Sequence, residues 1–246
     1  MKLLVVCLAM LVAVMAQCTT ERDALIAIYD STNGLDWTVA NNWLSADPHC
    51  TWTGVSCNNS GFVVGLDLSS FGLTGLLPAD IGCLPFLQSL YANNNSMTSP
   101  IPPEICDLTN LKYWQMIDAG LTGDLPVCMC TMEFLQYAYL SFNMITGEIP
   151  TCVNQMTYLR ELHLDCNLLE GPVPVEFDEL QFLEELWVQC NFDLICTELT
   201  GDFIYICGSD LPECEACPLE PVQCPICVEI EDCGLYCQVD EMPAGA

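Results

Sequence analysis

The stretch LQYAYLSFNMITGEIPTCVNQMTY, Leu135 to Tyr158, decides the fold, because its pattern returns along the chain every 24 residues. Val63, Leu87, Leu111, Leu135, Leu159 and Leu183 stand one period apart, and each opens a segment of the form L-x-x-L-x-L-x-x-N-x-L-x-G-x-I-P. Pro78, Pro102, Pro126, Pro150 and Pro174 form a proline column at the same spacing. A fixed period of this length is the signature of a solenoid, in which each repeat buries its apolar face only against its neighbours.

Within a repeat, L-x-x-L-x-L reads as a short strand with leucines inward and the intervening residues on the opposite face, because side chains alternate along a strand. One outward column is then Asp67, Tyr91, Gln115, Tyr139, His163 and Trp187, and the column two residues earlier is Gly65, Ser89, Tyr113, Tyr137, Glu161 and Glu185. The asparagine column Asn95, Asn143, Asn167 and Asn191 follows the strands and supplies amides that can satisfy buried backbone groups. Phe71 and Ala119 interrupt that column, so their turns are expected to be less well held.

Cysteines fall into the same register. Cys106 and Cys130, Cys128 and Cys152, and Cys166 and Cys190 are each 24 residues apart. Adjacent coils lie about 4.8 Å apart, within the reach of a disulfide, so these pairs are expected to staple neighbouring coils. Cys83, one position off the column of Cys106, is a competing partner for it.

The ends differ from the middle. Lys2, the apolar run Leu3 to Val14 and the small residues around Ala16 read as a signal peptide over 1–16, too short to span a bilayer. No later stretch approaches 18 uninterrupted apolar residues, so the rest is expected not to span a membrane. Residues 17–62 form an N-terminal cap, with Ala24, Leu25, Ile28 and Tyr29 at helical spacing, Thr19 or Thr20 as N-cap and Asn33-Gly34 as the stop. Cys50 and Cys57 close a small loop around Trp52 and Gly54. The repeats occupy 63–191, a cysteine-rich C-terminal cap 192–237 and a flexible tail 238–246. Of nineteen cysteines, removal of Cys7 with the signal leaves eighteen, a dense even set that suits disulfides in an oxidising compartment. Cys214, Cys217, Cys224 and Cys227 have zinc-site spacing, but that compartment favours cystines.

Four lysines and arginines face 33 acidic residues, for a net charge of −29. Such a surface repels nucleic acid and anionic membrane, and favours cations or basic partners. Simple solubility, or a salty medium that screens repulsion, explains the same balance.

ERDALIAIYDSTNGLDW, then NNWL and C-T-W-T-G-V-S-C, resembles the N-terminal cap of plant-type extracellular leucine-rich-repeat proteins and their protist relatives. L-T-G-x-x-P at 73–78 and 121–126, with a variant at 145–150, is similar to the repeats of the same class. The resemblance implies an α/β fold: a right-handed leucine-rich-repeat solenoid of about six 24-residue repeats, with a parallel β-sheet on its concave face. Plant caps commonly carry a paired cysteine where this chain has His49-Cys50, so the resemblance supplies no partner for Cys18. Relatives of this architecture include polygalacturonase inhibitors, co-receptors and peptide receptors, which implies recognition as a class but selects no ligand.

No Gly-rich phosphate loop, G-x-S-x-G elbow or H-E-x-x-H occurs, and the histidines are His49 and His163 alone. The expectation is therefore a secreted, non-enzymatic module without cofactor or specific metal site. It is expected to bind a basic extracellular protein or peptide through Tyr91, Tyr113, Tyr137, Tyr139, His163 and Trp187, with Glu161, Asp165 and Glu185 steering charge. Tyrosines and tryptophan could equally stack on a carbohydrate, and the scattered acids suit a matrix role with diffuse cation binding. A further alternative uses the threonine column Thr74, Thr98, Thr122 and Thr146 as an ice-binding or surface-binding face, a feature of some similar plant proteins. Sequons at Asn58 and Asn94 mark glycosylation sites.

Overall fold

A computed structural model describes residues 20–207. The signal peptide, Cys18, the Cys214–Cys227 cluster and the tail lie outside the described residues.

Helix α1 (Glu21–Ser31) starts where Thr20 Oγ1 accepts the Asp23 N–H at 3.1 Å, and it buries Ala24, Leu25, Ile28 and Tyr29. Asn33, in the left-handed region at φ 55°, turns the chain away, and Gly34 follows because a Cβ there would lie 2.3 Å from the Tyr29 ring. Glu21 Oε2 accepts the Val63 N–H at 2.9 Å and so ties the helix to the first coil. Beneath it Tyr29, Trp37, Trp43 and Trp52 pack edge-on and stacked. Cys50 and Cys57 are bonded, with Cα atoms 5.6 Å apart.

The first strands are β1 (Val55–Cys57), β2 (Val63–Asp67), β3 (Thr74–Gly75), β4 (Ser89–Tyr91), β5 (Ser96–Met97), β6 (Ser99–Pro100), β7 (Tyr113–Gln115) and β8 (Leu121–Asp124). They continue with β9 (Tyr137–Tyr139), β10 (Met144–Glu148), β11 (Glu161–His163), β12 (Leu168–Pro172), β13 (Glu185–Trp187), β14 (Asp193–Ile195) and β15 (Ile204–Ile206). Among the described residues they form a principal sheet in the order β1-β2-β4-β7-β9-β11-β13-β15, parallel except where β1 closes its edge antiparallel to β2. A second parallel sheet, β14-β12-β10-β8-β6, and the pair β3-β5 lie on the return path of each coil. Short 3-10 turns such as Pro103–Asp107, Val127–Thr131 and Thr151–Gln155 complete the coils.

The core is a stack of columns. Leu66, Leu90, Trp114, Ala138, Leu162 and Leu186 are neighbours in the sheet and all but fully buried. Trp114 is paired laterally with Ala138, so an oversized side chain stands beside an undersized one and the column keeps close to its usual volume.

The asparagine ladder explains why the interrupted turns hold. Asn143 Nδ2 donates to the carbonyls of Met116 (2.7 Å) and Leu140 (2.9 Å), while its Oδ1 accepts from the N–H groups of Ala119 (3.1 Å) and Leu121 (2.9 Å). Asn95 likewise accepts from Gly72 and Leu73. Each amide reaches back one coil, so the turns at Phe71 and Ala119 are satisfied by the following coil's asparagine. The expectation that they are poorly held is corrected.

The cystine pairing also differs. Cys106 is bonded to Cys128 and Cys130 to Cys152, with Cα separations of 5.9 and 5.8 Å and sequence separations of 22. The expected Cys106–Cys130 and Cys128–Cys152 staples are therefore not formed. Equivalent residues on successive coils are related by near-translation, so their Cα–Cβ vectors run parallel, whereas a disulfide needs Cβ atoms converging to about 3.5–4.5 Å. Offsetting one partner by two residues within the turn makes the vectors converge. Cys166 and Cys190 are each disulfide-bonded, yet no bond between them is found among the described residues. Their backbones are left-handed, at φ 52° and 59°, as the chain leaves β11 and β13. Cys83 is also disulfide-bonded, and Cys196 joins Cys207.

Candidate functional site: the concave sheet face

The outward positions of the principal sheet are half-buried in every strand from β4 to β13. Hydrogen-bonded register sets Ser89, Tyr113, Tyr137, Glu161 and Glu185 side by side, and Tyr91, Gln115, Tyr139, His163 and Trp187 beside them. Parallel strands repeat at about 4.8 Å, close to ring-stacking distance. Tyr113 and Tyr137 accordingly stack at 5.0 Å and 1°. His163 lies 4.6 Å from Tyr139 and stacks on Trp187 at 4.1 Å and 3°. At the N-terminal end, Tyr91 and Tyr113 border a depression of about 240 Å³ floored by Gly65, where a Cβ would meet Ser89 Oγ at 3.0 Å.

The C-terminal half of the face is electrostatically distinct. His163 Nε2 is 3.2 Å from Glu185 Oε2 and 3.9 Å from Glu161 Oε2. Tyr139 donates its hydroxyl to that same Glu161 oxygen at 2.5 Å. Burial pushes the His163 imidazolium down to about 4, so the ring is neutral near neutral pH. In its Nε2–H tautomer it donates to Glu185. Burial, with the charges of Glu161 and Glu184, raises the Glu185 carboxyl. The Tyr139 phenol is raised by burial and then by Glu161. Arg160 is bonded to Glu184.

Asp165 does not join this surface. It is 5% exposed, and Ser141 Oγ donates to its Oδ1 from the preceding coil. Burial raises its carboxyl to about 6. The strand ends at His163, so the alternation that would have turned Asp165 outward stops before it. A second aromatic column, passed over in reading the strands, lies outside the sheet, where exposed Phe134 packs near Tyr158 and Tyr158 stacks on Phe182. Its signal was again the 24-residue spacing.

The threonine column is staggered. In the return-path sheet Thr122 pairs with Met144, and Thr146 pairs with Asp124 and Leu168. Thr146 donates its hydroxyl to Asp124 at 2.7 Å, and Thr74 accepts from Asn33. Asn94, exposed and left-handed at φ 54°, lies three residues beyond the end of β4 on the tyrosine face. Exposed Asn58 accepts from the N–H groups of Ser60 and Phe62 in the cap.

Residues 18–58 match the leucine rich repeat N-terminal domain and residues 86–108 the Leucine Rich Repeat. Together with the stacked parallel sheets, these matches show a leucine-rich-repeat solenoid, and the proteins it is similar to are plant receptor-like proteins and kinases. It is similar to Receptor-like protein 7 of Arabidopsis thaliana, 38% identical over 96 residues, covering 37% of this chain and 10% of that protein. The chain spans only 7% and 10% of the first curated relatives it matches. Among solved structures it resembles the ectodomain of the Arabidopsis thaliana receptor kinase GASSHO1 in complex with CASPARIAN STRIP INTEGRITY FACTOR 2 (25% identity, TM-score 0.67, 76% of this chain and 24% of that one). It also resembles the plant peptide hormone receptor RGFR1 in complex with RGF2 (31%, 0.51, 52% and 20%). A plant ice-binding protein is similar as well (27%, 0.64, 74% and 58%). No helix among the described residues is long and apolar enough to cross a membrane.

Proposed function

We propose that the protein is a secreted, non-enzymatic recognition module that binds a protein or peptide, basic over part of its length, along its concave face. The observation that carries this reading is the pair of continuous lateral columns from Tyr91 to Trp187, half-buried and aromatic through the middle, acidic at Glu161 and Glu185. Rigid aromatic side chains already stacked on one another lose little conformational freedom when a partner covers them. The peptide hormone receptor RGFR1 and the GASSHO1 ectodomain, each solved with a partner, support recognition as the use of this architecture. The layout that goes with it is a signal peptide over 1–16, a cap over 17–62, repeats over 63–191 and a cystine-rich C-terminal cap over 192–237. Glycans at Asn58 and Asn94 would leave the Trp187 end of the face open.

The test is affinity capture from the native extracellular fluid, followed by titration of the recovered partner. Tyr139→Ala and Trp187→Ala should each weaken binding by more than about 1 kcal/mol, roughly fivefold. Unchanged affinity in both variants places the site elsewhere. The similarity to a plant ice-binding protein favours a second reading on the threonine face. The stagger of Thr122 and Thr146 opposes a regular hydroxyl lattice there, and thermal hysteresis of the purified protein would decide for it.

A further inference from the structure

We propose that Glu161, His163 and Glu185 form a binding site for one divalent transition-metal ion of the zinc class, open to the concave face. This inference is independent of any peptide ligand, since the metal alone tests it.

The three donors converge because of strand geometry. Glu161 and His163 are two apart on β11 and therefore share a face, and Glu185 is the lateral partner of Glu161 on β13. One oxygen from each carboxylate and an imidazole nitrogen all lie within 4.8 Å of one another. A tetrahedral ion with bonds of about 2.0–2.1 Å holds its ligands about 3.3–3.4 Å apart. The Nε2–Oε2 separations of 3.2 and 3.9 Å bracket that value, and the two carboxylate oxygens lie within 4.8 Å of each other, within reach of side-chain adjustment.

The donors are also held in place. The His163 ring lies between Tyr139 and Trp187, and the Tyr139 hydroxyl fixes the Glu161 oxygen, the kind of outer-shell contact that orients metal ligands. Two carboxylates at close quarters repel each other, and a dication relieves that repulsion. One nitrogen and two oxygens suit zinc, cobalt or nickel, whereas calcium requires six to eight oxygens and magnesium near-octahedral oxygen ligation. Three protein ligands leave a fourth position open to water or an incoming group. A second group, His49 with Cys50 and Cys57, is unsuited, because both sulfurs are consumed in a disulfide.

The experiment uses the full-length, chelator-stripped protein with zinc chloride in a calorimeter, and cobalt chloride in an absorption spectrometer. One equivalent of zinc should bind, and His163→Ala and Glu185→Gln should each weaken it at least tenfold while circular dichroism stays unchanged. Cobalt bound to the wild type should show tetrahedral d–d bands without thiolate charge transfer. Weakening of less than tenfold in the conservative Glu185→Gln variant, thiolate bands, or no zinc binding at millimolar concentration would each overturn the proposal. If zinc binds as expected but no peptide partner is found, the metal site stands and the recognition reading falls.

Discussion

Replacing Asn143 by alanine tests the ladder that holds successive coils together. The amide is 8% exposed and makes five hydrogen bonds, three donated to the carbonyls of Met116, Leu140 and Ser141 and two accepted from Ala119 and Leu121. Truncation removes all five at once. Each buried N–H left without a partner costs about 1–3 kcal/mol, and the carbonyls, with a second lone pair, cost less. Allowing for a water molecule entering the vacated space, the net loss should be about 3–5 kcal/mol. Guanidinium unfolding with disulfides intact measures the total, and amide hydrogen exchange at Ala119 and Leu121 measures it locally. As a control, Asn110, which donates to the Pro85 carbonyl at 2.7 Å from an exposed position, should cost under about 1 kcal/mol when changed to alanine. A loss below about 1 kcal/mol at Asn143, or unaltered exchange at both amides, would refute the idea that one side chain carries the turn of the coil before it.

Disulfide mapping by peptide mass spectrometry should recover Cys106–Cys128 and Cys130–Cys152, and the double change Cys106→Ser with Cys128→Ser should cost about 3 kcal/mol by the loop-entropy estimate; peptides linking Cys106 to Cys130 would contradict the offset-by-two geometry. Ala138→Leu should destabilise by about 1–3 kcal/mol by crowding Trp114, and adding Trp114→Leu should recover most of it; simple additivity would show that the two positions do not share space. Asp165 binds its proton more tightly folded than unfolded, about 6 against an ordinary 3.8, so it destabilises the fold above pH 6 and ceases to do so as pH falls towards 4. In metal-free buffer Asp165→Asn should therefore gain up to about 3 kcal/mol at pH 7.5 and little at pH 4, and a gain independent of pH would place the effect elsewhere.

The amino-acid sequence determined the solenoid by itself, because a hydrophobic period of 24 admits few ways of burying six equal apolar faces. It also determined the neighbours across the principal sheet: Tyr113 beside Tyr137 and His163 beside Trp187 follow from adding one period, and the strands are in register at that offset. On the return path the offset is 22 as far as β12 and 23 from β12 to β14, as in Thr122 beside Met144, Cys106 bonded to Cys128 and Glu170 beside Asp193. Repeat length alone does not contain that difference. It arises from how each coil leans on the next, which decides whether side chains run parallel or converge. The same tertiary geometry buried Asp165 against Ser141, since where a strand ends depends on packing rather than on spacing. The grouping of Glu161, His163 and Glu185 follows instead from the one-period register, and only the meeting of their donor atoms within 4.8 Å was left to side-chain packing.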